Sequence, residues 1–312
     1  MVAGNTPARP GRGAEEPEGE AILHGNVILL AFSVLRRRVL LKSIFSLVAT
    51  ISRRFFFDQF VHKFKPGSVP VRNIEHPLDS GIPVRYEAVG VYLTFVKLWI
   101  SALGYLRREL GPSFDGELAD FMAGIERCYS DASIVYGRCL STTKRPPRAP
   151  SIRLAMVYAV DPHLFCVPSL HVLLVCFTYR KLEDLLRARG ECGRFRLELA
   201  AVRARAIAIT ESILYVRQHS VNCIPTALAM LSTILPSYDR AEARAFLSEL
   251  FTGDDEIDPA QRSAAFEYMA GLYESLMAAG TGQDGRYGAI VDFVRNYDEI
   301  DLNRAASVSK LP

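Results

Sequence analysis

Residues 168–186, PSLHVLLVCFTYRKLEDLL, are apolar over their first half and carry charges only towards their end. Pro168 suits the first turn of a helix, where its missing N–H has no intrahelical partner to lose. Neither a second proline nor a glycine follows, so we predict a helix from Ser169 to Leu186. A helix that is this apolar has to be surrounded by other elements, and this favours an all-α helical bundle.

Helical periodicity continues on both sides of this stretch, because apolar residues recur at 3.6-residue spacing and alternating β-branched residues are scarce. Further helices are predicted at 87–110, 116–137, 197–218 and 221–235. Prolines and arginines make residues 143–151 a basic loop.

Composition and helical patterning divide the chain into three parts. Residues 1–24 are rich in Gly, Pro, Ala and Glu, which predicts a disordered tail. Residues 25–237 form the predicted bundle. Residues 238–312 form a C-terminal appendage of amphipathic helices, and the sequence does not indicate its function.

Charge and cysteine usage narrow the function classes. The net charge is only +3, so we expect no nucleic-acid partner. The six cysteines form no CxxC pair and show no spacing typical of a zinc site, so we predict buried thiols in a reducing compartment and no metal. No apolar core resembling a signal peptide occurs in residues 1–24.

Three stretches come close to the roughly 20 apolar residues that a membrane-spanning helix needs. They are 88–106, 164–179 and 220–238. Arginine clusters at 36–38, 53–54 and 107–108 resemble the cytoplasmic margins of membrane proteins. We therefore expect membrane association through one or several spans, and the alternative is a soluble cytoplasmic protein.

Two histidines carry the chemistry that the sequence suggests. His171 lies at the start of the predicted helix 169–186, and His219 follows the predicted helix 197–218. One imidazole can attack phosphorus while the other protonates the leaving oxygen, which needs neither a metal nor a cofactor.

Three further groups complete a phosphate site around these histidines. Arg138 and Arg145 can bind phosphate oxygens through their guanidinium groups. The free N–H groups at the helix start, at Ser169, Leu170 and His171, are further donors for an anion.

These elements resemble the signature of the type 2 phosphatidic acid phosphatase and haloperoxidase superfamily, which reads K-x6-R-P, then P-S-G-H, then S-R-x5-H-x3-D. The corresponding segments are RCLSTTKRP at 138–146, PSLH at 168–171 and SILYVRQHSVNC at 212–223. Leu170 and Gln218 make the second and third elements similar to the inositol phosphorylceramide synthase branch, as does DSGIP at 79–83. The resemblance covers about residues 79–235.

The resemblance implies an α-helical bundle that acts on a phosphorylated lipid or another phosphate ester, with His219 as nucleophile and His171 as acid. Two positions depart from the family pattern. Ile213 replaces an arginine, and we predict that Arg217, one turn further on, compensates for it. Cys223 replaces the Asp that orients the nucleophilic histidine, and a thiol does this poorly.

These departures leave three functions open. The chain is a lipid phosphate phosphatase or phosphotransferase, a degenerate protein that binds a phosphorylated lipid without turnover, or a structural helical bundle. Phosphate binding separates the first two functions from the third, and turnover separates the first from the second.

Overall fold

A computed structural model describes residues 19–25, 30, 37–64, 69–146, 148–149, 151–280 and 285–297. These residues are mostly helical, which confirms the all-α class. The predictions for residues 1–18 and 298–312 lie outside the described residues. Glu20–His24, inside the predicted disordered tail, form a 3-10 turn whose Ile22 side chain is fully buried.

The helices are labelled here in chain order. They are α1 (Arg38–Ile51), α2 (Asp58–Phe64), α3 (Val89–Tyr92), α4 (Phe95–Leu110), α5 (Asp115–Tyr136), α6 (Ile152–Val160), α7 (Leu170–Ala188), α8 (Arg196–Tyr215), α9 (Cys223–Ile234), α10 (Arg240–Glu249), α11 (Pro259–Ala279) and α12 (Gly288–Arg295). A π-helical turn, Ser52–Phe57, joins α1 to α2.

Helix α7 is the centre of the bundle, as its apolar sequence predicts. Nearly every side chain from Leu170 to Tyr179 is buried, and the helix packs against α4, α5, α8 and α9. Its start agrees with the prediction, because the hydroxyl of Ser169 caps it by accepting a hydrogen bond from the N–H of Val172.

Two short strands were not predicted. β1 (Val71–Asn73) and β2 (Leu140–Thr142) pair in parallel, with Val71 opposite Leu140. Both lie outside the predicted helices, and three residues are too few for an alternating pattern to show. The pair anchors the start of the loop that carries Arg145.

The C-terminal helices pack on the bundle. Helix α11 lies against α9 and against the 3-10 turn Pro77–Gly81. The hydroxyl of Tyr268 in α11 donates a hydrogen bond to the side chain of Asn222 at 2.6 Å, and its ring stacks on His76 with 3.9 Å between the ring centroids. The predicted appendage is therefore in direct contact with the segment that follows His219.

Gly124 shows how closely α5 and α7 approach each other. A Cβ atom at this position would lie 2.1 Å from Cζ of Phe177, a buried ring in α7. We expect Gly124→Ala to lower the free energy of unfolding by about 1–3 kcal/mol, because the ring has to shift in a packed core. Gly271→Ala in α11, where a Cβ meets nothing within 4 Å, is the control and should gain about 0.5–1 kcal/mol. Urea denaturation measures both, and equal gains would contradict the packing described here.

Candidate active site

The two histidines predicted to act together do lie side by side. Their ring centroids are 5.5 Å apart and the rings meet edge to face at 69°. His171 lies in the first turn of α7. His219 lies in the turn after α8, where its N–H donates to the carbonyl of Ile213. The packing of α7 against α8 therefore brings together two histidines that are 48 residues apart in the sequence.

Aromatic rings hold the first histidine in place. Tyr92 stacks on His171 with 4.4 Å between the ring centroids, and Phe95 lies at 4.2 Å. These rings come from α3 and α4, which the sequence analysis predicted as one continuous helix. The helix is interrupted at Leu93 and Thr94, and the rings on both sides of this break contact the imidazole.

Both imidazoles face a cavity of about 260 Å³. Its lining is mostly apolar and aromatic, and it draws on α1, α2, α4, α5 and the segment before α7. The lining residues are Ile51, Phe55, Phe56, Gln59, Phe95, Val96, Trp99, Tyr129, Asp161, His163, Phe165, Cys166, Leu170, His171 and His219. The cavity therefore suits a ligand with an apolar part and a polar group that reaches the histidines.

A partly buried ion pair lies at the edge of this cavity. Nη2 of Arg145 is 2.7 Å from Oδ2 of Asp161, and Nη1 of Arg145 donates to the carbonyl of Asp161 at 3.0 Å. The guanidinium also lies over the ring of Tyr158, 4.6 Å from its centroid. Only 13% of the Arg145 side chain and 31% of the Asp161 side chain is exposed. Arg145, which the sequence predicts as a ligand of phosphate, thus lies near the cavity, but its charge is paired with Asp161.

Sequence reasoning missed Asp161. Its Oδ1 accepts hydrogen bonds from Nε2 of Gln59 at 2.6 Å and from the N–H of His163 at 2.8 Å. Among the lining residues that the structure describes, Asp161 is the one carboxylate. In the sequence, Asp161-Pro162-His163 lies between the basic loop and Pro168, but no spacing pattern identifies Asp161 as the partner of Arg145.

His163 completes this group. Its side chain is buried, Nε2 lies 2.8 Å from Oγ1 of Thr143, and its φ of 62° is in the left-handed region. Non-glycine residues in that region cost about 1–2 kcal/mol, and such strain is common at functional sites. The hydrogen bonds to Asp161 and Thr143 hold this conformation.

Burial keeps the histidines of the cavity neutral. Desolvation and, to a smaller extent, the neighbouring His219 lower the pKa of His171 to about 3. Desolvation lowers the pKa of His219 to about 4, although Asp161 acts in the opposite direction. Nδ1 of His219 is buried and has no hydrogen-bond partner. An unprotonated imidazole is the form that a nucleophile requires.

Asp161 is ionised beside these neutral rings. Burial alone raises its pKa, but the charge of Arg145 and the hydrogen bond from His163 outweigh burial and hold the pKa of Asp161 below its ordinary value. The site therefore contains one cation, one anion and neutral imidazoles.

Two predicted phosphate ligands lie elsewhere. Arg217, with a φ of 55°, donates from Nη2 to the carbonyl of Ile82 at 2.8 Å and from Nη1 to the carbonyl of Asp79. Its guanidinium thus closes the turn that contains the DSGIP segment and does not line the cavity. The compensation for Ile213 stays a prediction, and it requires Arg217 to release these two carbonyls. Arg138 follows α5 and does not line the cavity.

Cys223 also differs from the expected geometry. Its Sγ is fully buried and accepts a hydrogen bond from the N–H of Ser220 at 3.4 Å. The thiol therefore stabilises the turn before α9. The residue does not line the cavity, and the negative charge that acts on His219 comes from Asp161 instead.

No model of a protein family matches the chain, and no curated protein and no solved structure matches it either. Within the described ranges, no group of three or more His, Cys, Asp or Glu side chains is arranged to hold a metal ion.

One helical stretch, Tyr86–Tyr136, is long and apolar enough to cross a membrane, although half of its most apolar window is buried inside the bundle. The other two stretches that the sequence analysis singled out, 164–179 and 220–238, do not meet this criterion in the described part of the chain. Association through several spans is therefore not supported.

The neutral histidines make the fold sensitive to acid. His171 and His219 take up protons near pH 3–4 in the folded chain, but near pH 6.5 in the unfolded chain. The unfolded state thus binds more protons between these values, so stability is lost as pH falls from 6.5 to about 4. Each histidine contributes about 1.4 kcal/mol per pH unit.

We expect His171→Gln to reduce the dependence of unfolding free energy on pH by about this amount. His24→Gln, which changes an exposed histidine outside the cavity, is the control. Urea denaturation across this pH range measures it. Parallel pH profiles for wild type and His171→Gln would show that His171 is not desolvated in the folded chain.

Proposed function

We propose that this chain transfers phosphoryl groups without a metal, through a phosphohistidine on His219, from a phosphate ester that has an apolar part. The observation that carries this proposal is the pair of neutral imidazoles, 5.5 Å apart, that face one apolar cavity beside Arg145. The resemblance at 138–146, 168–171 and 212–223 supports the same chemistry.

The proposed reaction has two steps. A ring nitrogen of His219 attacks phosphorus, and the bond between phosphorus and the ester oxygen breaks. The leaving oxygen takes a proton from His171. Water, or a second alcohol, then attacks phosphorus and breaks the P–N bond, while His171 takes the proton of the attacking oxygen and His219 is restored.

His171 has to be protonated before the first step, although its pKa in the empty cavity is about 3. A bound phosphate dianion favours the imidazolium form, because an opposite charge within 4–6 Å raises the pKa of a histidine. Substrate binding thus supplies the charge that makes His171 an acid.

Asp161 takes over part of the role that the family assigns to the position of Cys223. Phosphate has to compete with Asp161 for Arg145, because both are oxyanions that match the same guanidinium. Asp161 released from Arg145 is then a free carboxylate near His219, where its charge stabilises the cationic phosphohistidine.

A second function is favoured by the pairing of Arg145 with Asp161. Asp161 neutralises the charge of Arg145, and no arginine is among the described residues that line the cavity. In this second function the site binds a phosphorylated lipid chiefly through apolar contacts and does not turn it over. A measurement of turnover distinguishes phosphoryl transfer from binding alone.

Removal of either histidine tests the proposed reaction. We expect His219→Gln and His171→Gln to lower phosphate release from phosphatidic acid and from an aryl phosphate by roughly 10²–10⁴-fold, the usual contribution of a positioned acid or base. His24→Gln should retain full activity. Acid-free quenching should trap labelled phosphohistidine in wild type and not in His219→Gln. Ligand binding without phosphate release in wild type would favour the non-catalytic function.

Asp161→Asn tests the competition for Arg145. We expect this change to raise the affinity for inorganic phosphate or vanadate by about tenfold or more, because the guanidinium loses its competing carboxylate. The single tryptophan, Trp99, lines the cavity, and its fluorescence reports binding. Asp120→Asn removes the same charge from a surface pair with Lys181 and is the matched control.

Turnover by Asp161→Asn should fall even though binding improves, because the phosphohistidine loses its nearest negative charge. Arg145→Gln should weaken oxyanion binding by about 1.5–3 kcal/mol. If wild type, Asp161→Asn and Arg145→Gln bind phosphate or vanadate with equal affinity, the oxyanion does not bind at the Arg145–Asp161 pair.

A further inference from the structure

Among the described residues, most of the large apolar side chains that are exposed lie in two segments. The first runs from α1 through the π-helical turn into α2, where Phe45 is 77% exposed and Phe64 is 76% exposed. The second is α6, where Ile152 is 83% exposed. Soluble surfaces rarely collect so many large apolar groups, and such a patch marks an interaction site.

Helix α6 is unusual for a helix of a soluble protein. Eight of its nine residues, IRLAMVYAV, are uncharged, and Leu154 alone among them is buried. Ile152, Met156 and Val160 recur every four residues and form one exposed stripe. The bundle does not use this stripe, although Ser151 caps the helix and fixes where it begins.

The first segment carries a similar stripe. Leu40 and Leu47 of α1 face the bundle, whereas Leu41, Phe45 and Val48, at i, i+4 and i+7, are exposed. Further along, Phe56 and Phe57 in the π-helical turn are exposed as well.

Three observations place the two segments together. Gln59 of α2 donates to Asp161, which directly follows α6. The ring of Phe55 lies 5.9 Å from the ring of Phe165. Phe56, 43% exposed, also lines the cavity with Asp161. The exposed apolar residues of α1, the π-helical turn, α2 and α6 are called the apolar face below, and the cavity opens beside it.

Positive charge surrounds the apolar face. Exposed Arg38, Lys42, Arg53 and Arg54 lie along the first segment. Exposed Arg148 precedes α6, and exposed Arg153 lies in its first turn. The sole acidic residue within Arg37–Phe64 is Asp58, and 144–160 contains none. Apolar side chains with arginines and lysines beside them fit the boundary between the acyl chains and the headgroups of an anionic bilayer.

Helix length decides how the chain lies on the bilayer. Helix α6 is about 14 Å long and α1 about 21 Å, both shorter than the roughly 30 Å hydrocarbon core. The continuation of α1 into α2 does not span either, because Arg53 and Arg54 interrupt it and Gln59 is buried against the bundle.

We propose that the apolar face seats the chain in one leaflet of a membrane that contains anionic lipids, with α1 and α6 in the plane of the interface. This proposal does not rest on phosphoryl transfer, since it depends on exposure and charge outside the histidine pair. It places the mouth of the cavity, at Phe56, beside the headgroups.

Vesicle flotation tests the proposal. The full chain should float with phosphatidylcholine vesicles that contain phosphatidylserine and much less with phosphatidylcholine alone, and salt should weaken binding. Arg53→Gln with Arg54→Gln should weaken partitioning roughly fivefold for each arginine. Phe45→Ser with Ile152→Ser should weaken it by at least tenfold. Leu197→Ser, at an exposed apolar residue outside both segments, should leave it unchanged.

A fluorescent reporter tests the orientation without removing apolar surface. In a Trp99→Phe background, Phe45→Trp and Met156→Trp should each shift emission to the blue with anionic vesicles and be quenched by brominated lipid. Leu197→Trp should do neither. Absence of vesicle binding would overturn the proposal, and a dimer that Phe45→Ser dissociates would instead assign the apolar face to a second copy of the chain.

Discussion

The salt bridge between Arg145 and Asp161 is the interaction on which the site depends. It joins the loop after β2 to the end of α6, and the hydrogen bond from Gln59 adds α2 to the same point. A buried pair of this kind stabilises little by itself, because desolvation offsets the attraction, but loss of one partner leaves an unpaired charge. The pair thus fixes the position of three segments and sets the net charge beside the histidines.

Desolvation then determines the state of the imidazoles. Tyr92 and Phe95 exclude water from His171, and the same apolar lining surrounds His219, so both rings are neutral at ordinary pH. A neutral ring is ready to attack phosphorus but has no proton to give. In the proposed reaction, His171 becomes an acid only when an anionic ligand enters the cavity, because the charge of the ligand raises the pKa of His171.

The sequence predicts the helices well and the site in part. Long apolar runs give α5, α7, α8 and α9 within a few residues, and the amphipathic helices predicted after residue 237 correspond to α10, α11 and α12. The juxtaposition of His171 and His219 follows from motif order. The end of α8 was misjudged because Arg217 adopts a positive φ, which places His219 in a turn.

The remaining differences arise from long-range contacts. Asp161 pairs with a residue sixteen positions earlier, and no local pattern marks that pair. The motif predicts Arg217 as a phosphate ligand, but in the structure its guanidinium donates hydrogen bonds to the carbonyls of Asp79 and Ile82. Cys223 occupies the position of an orienting acid in the motif, yet its thiol bonds to Ser220. The spacing of residues in a sequence predicts which side chains share one face of a helix. It does not predict the partner of a guanidinium or a thiol, because that partner depends on how distant segments pack.

A crystal structure grown with orthovanadate tests the central claim most directly. The account predicts a bond between vanadium and a ring nitrogen of His219, His171 within hydrogen-bond distance of an apical oxygen, and Arg145 turned from Asp161 towards the vanadate. A cavity without vanadate at saturating concentration, with Arg145 still bound to Asp161, would contradict it.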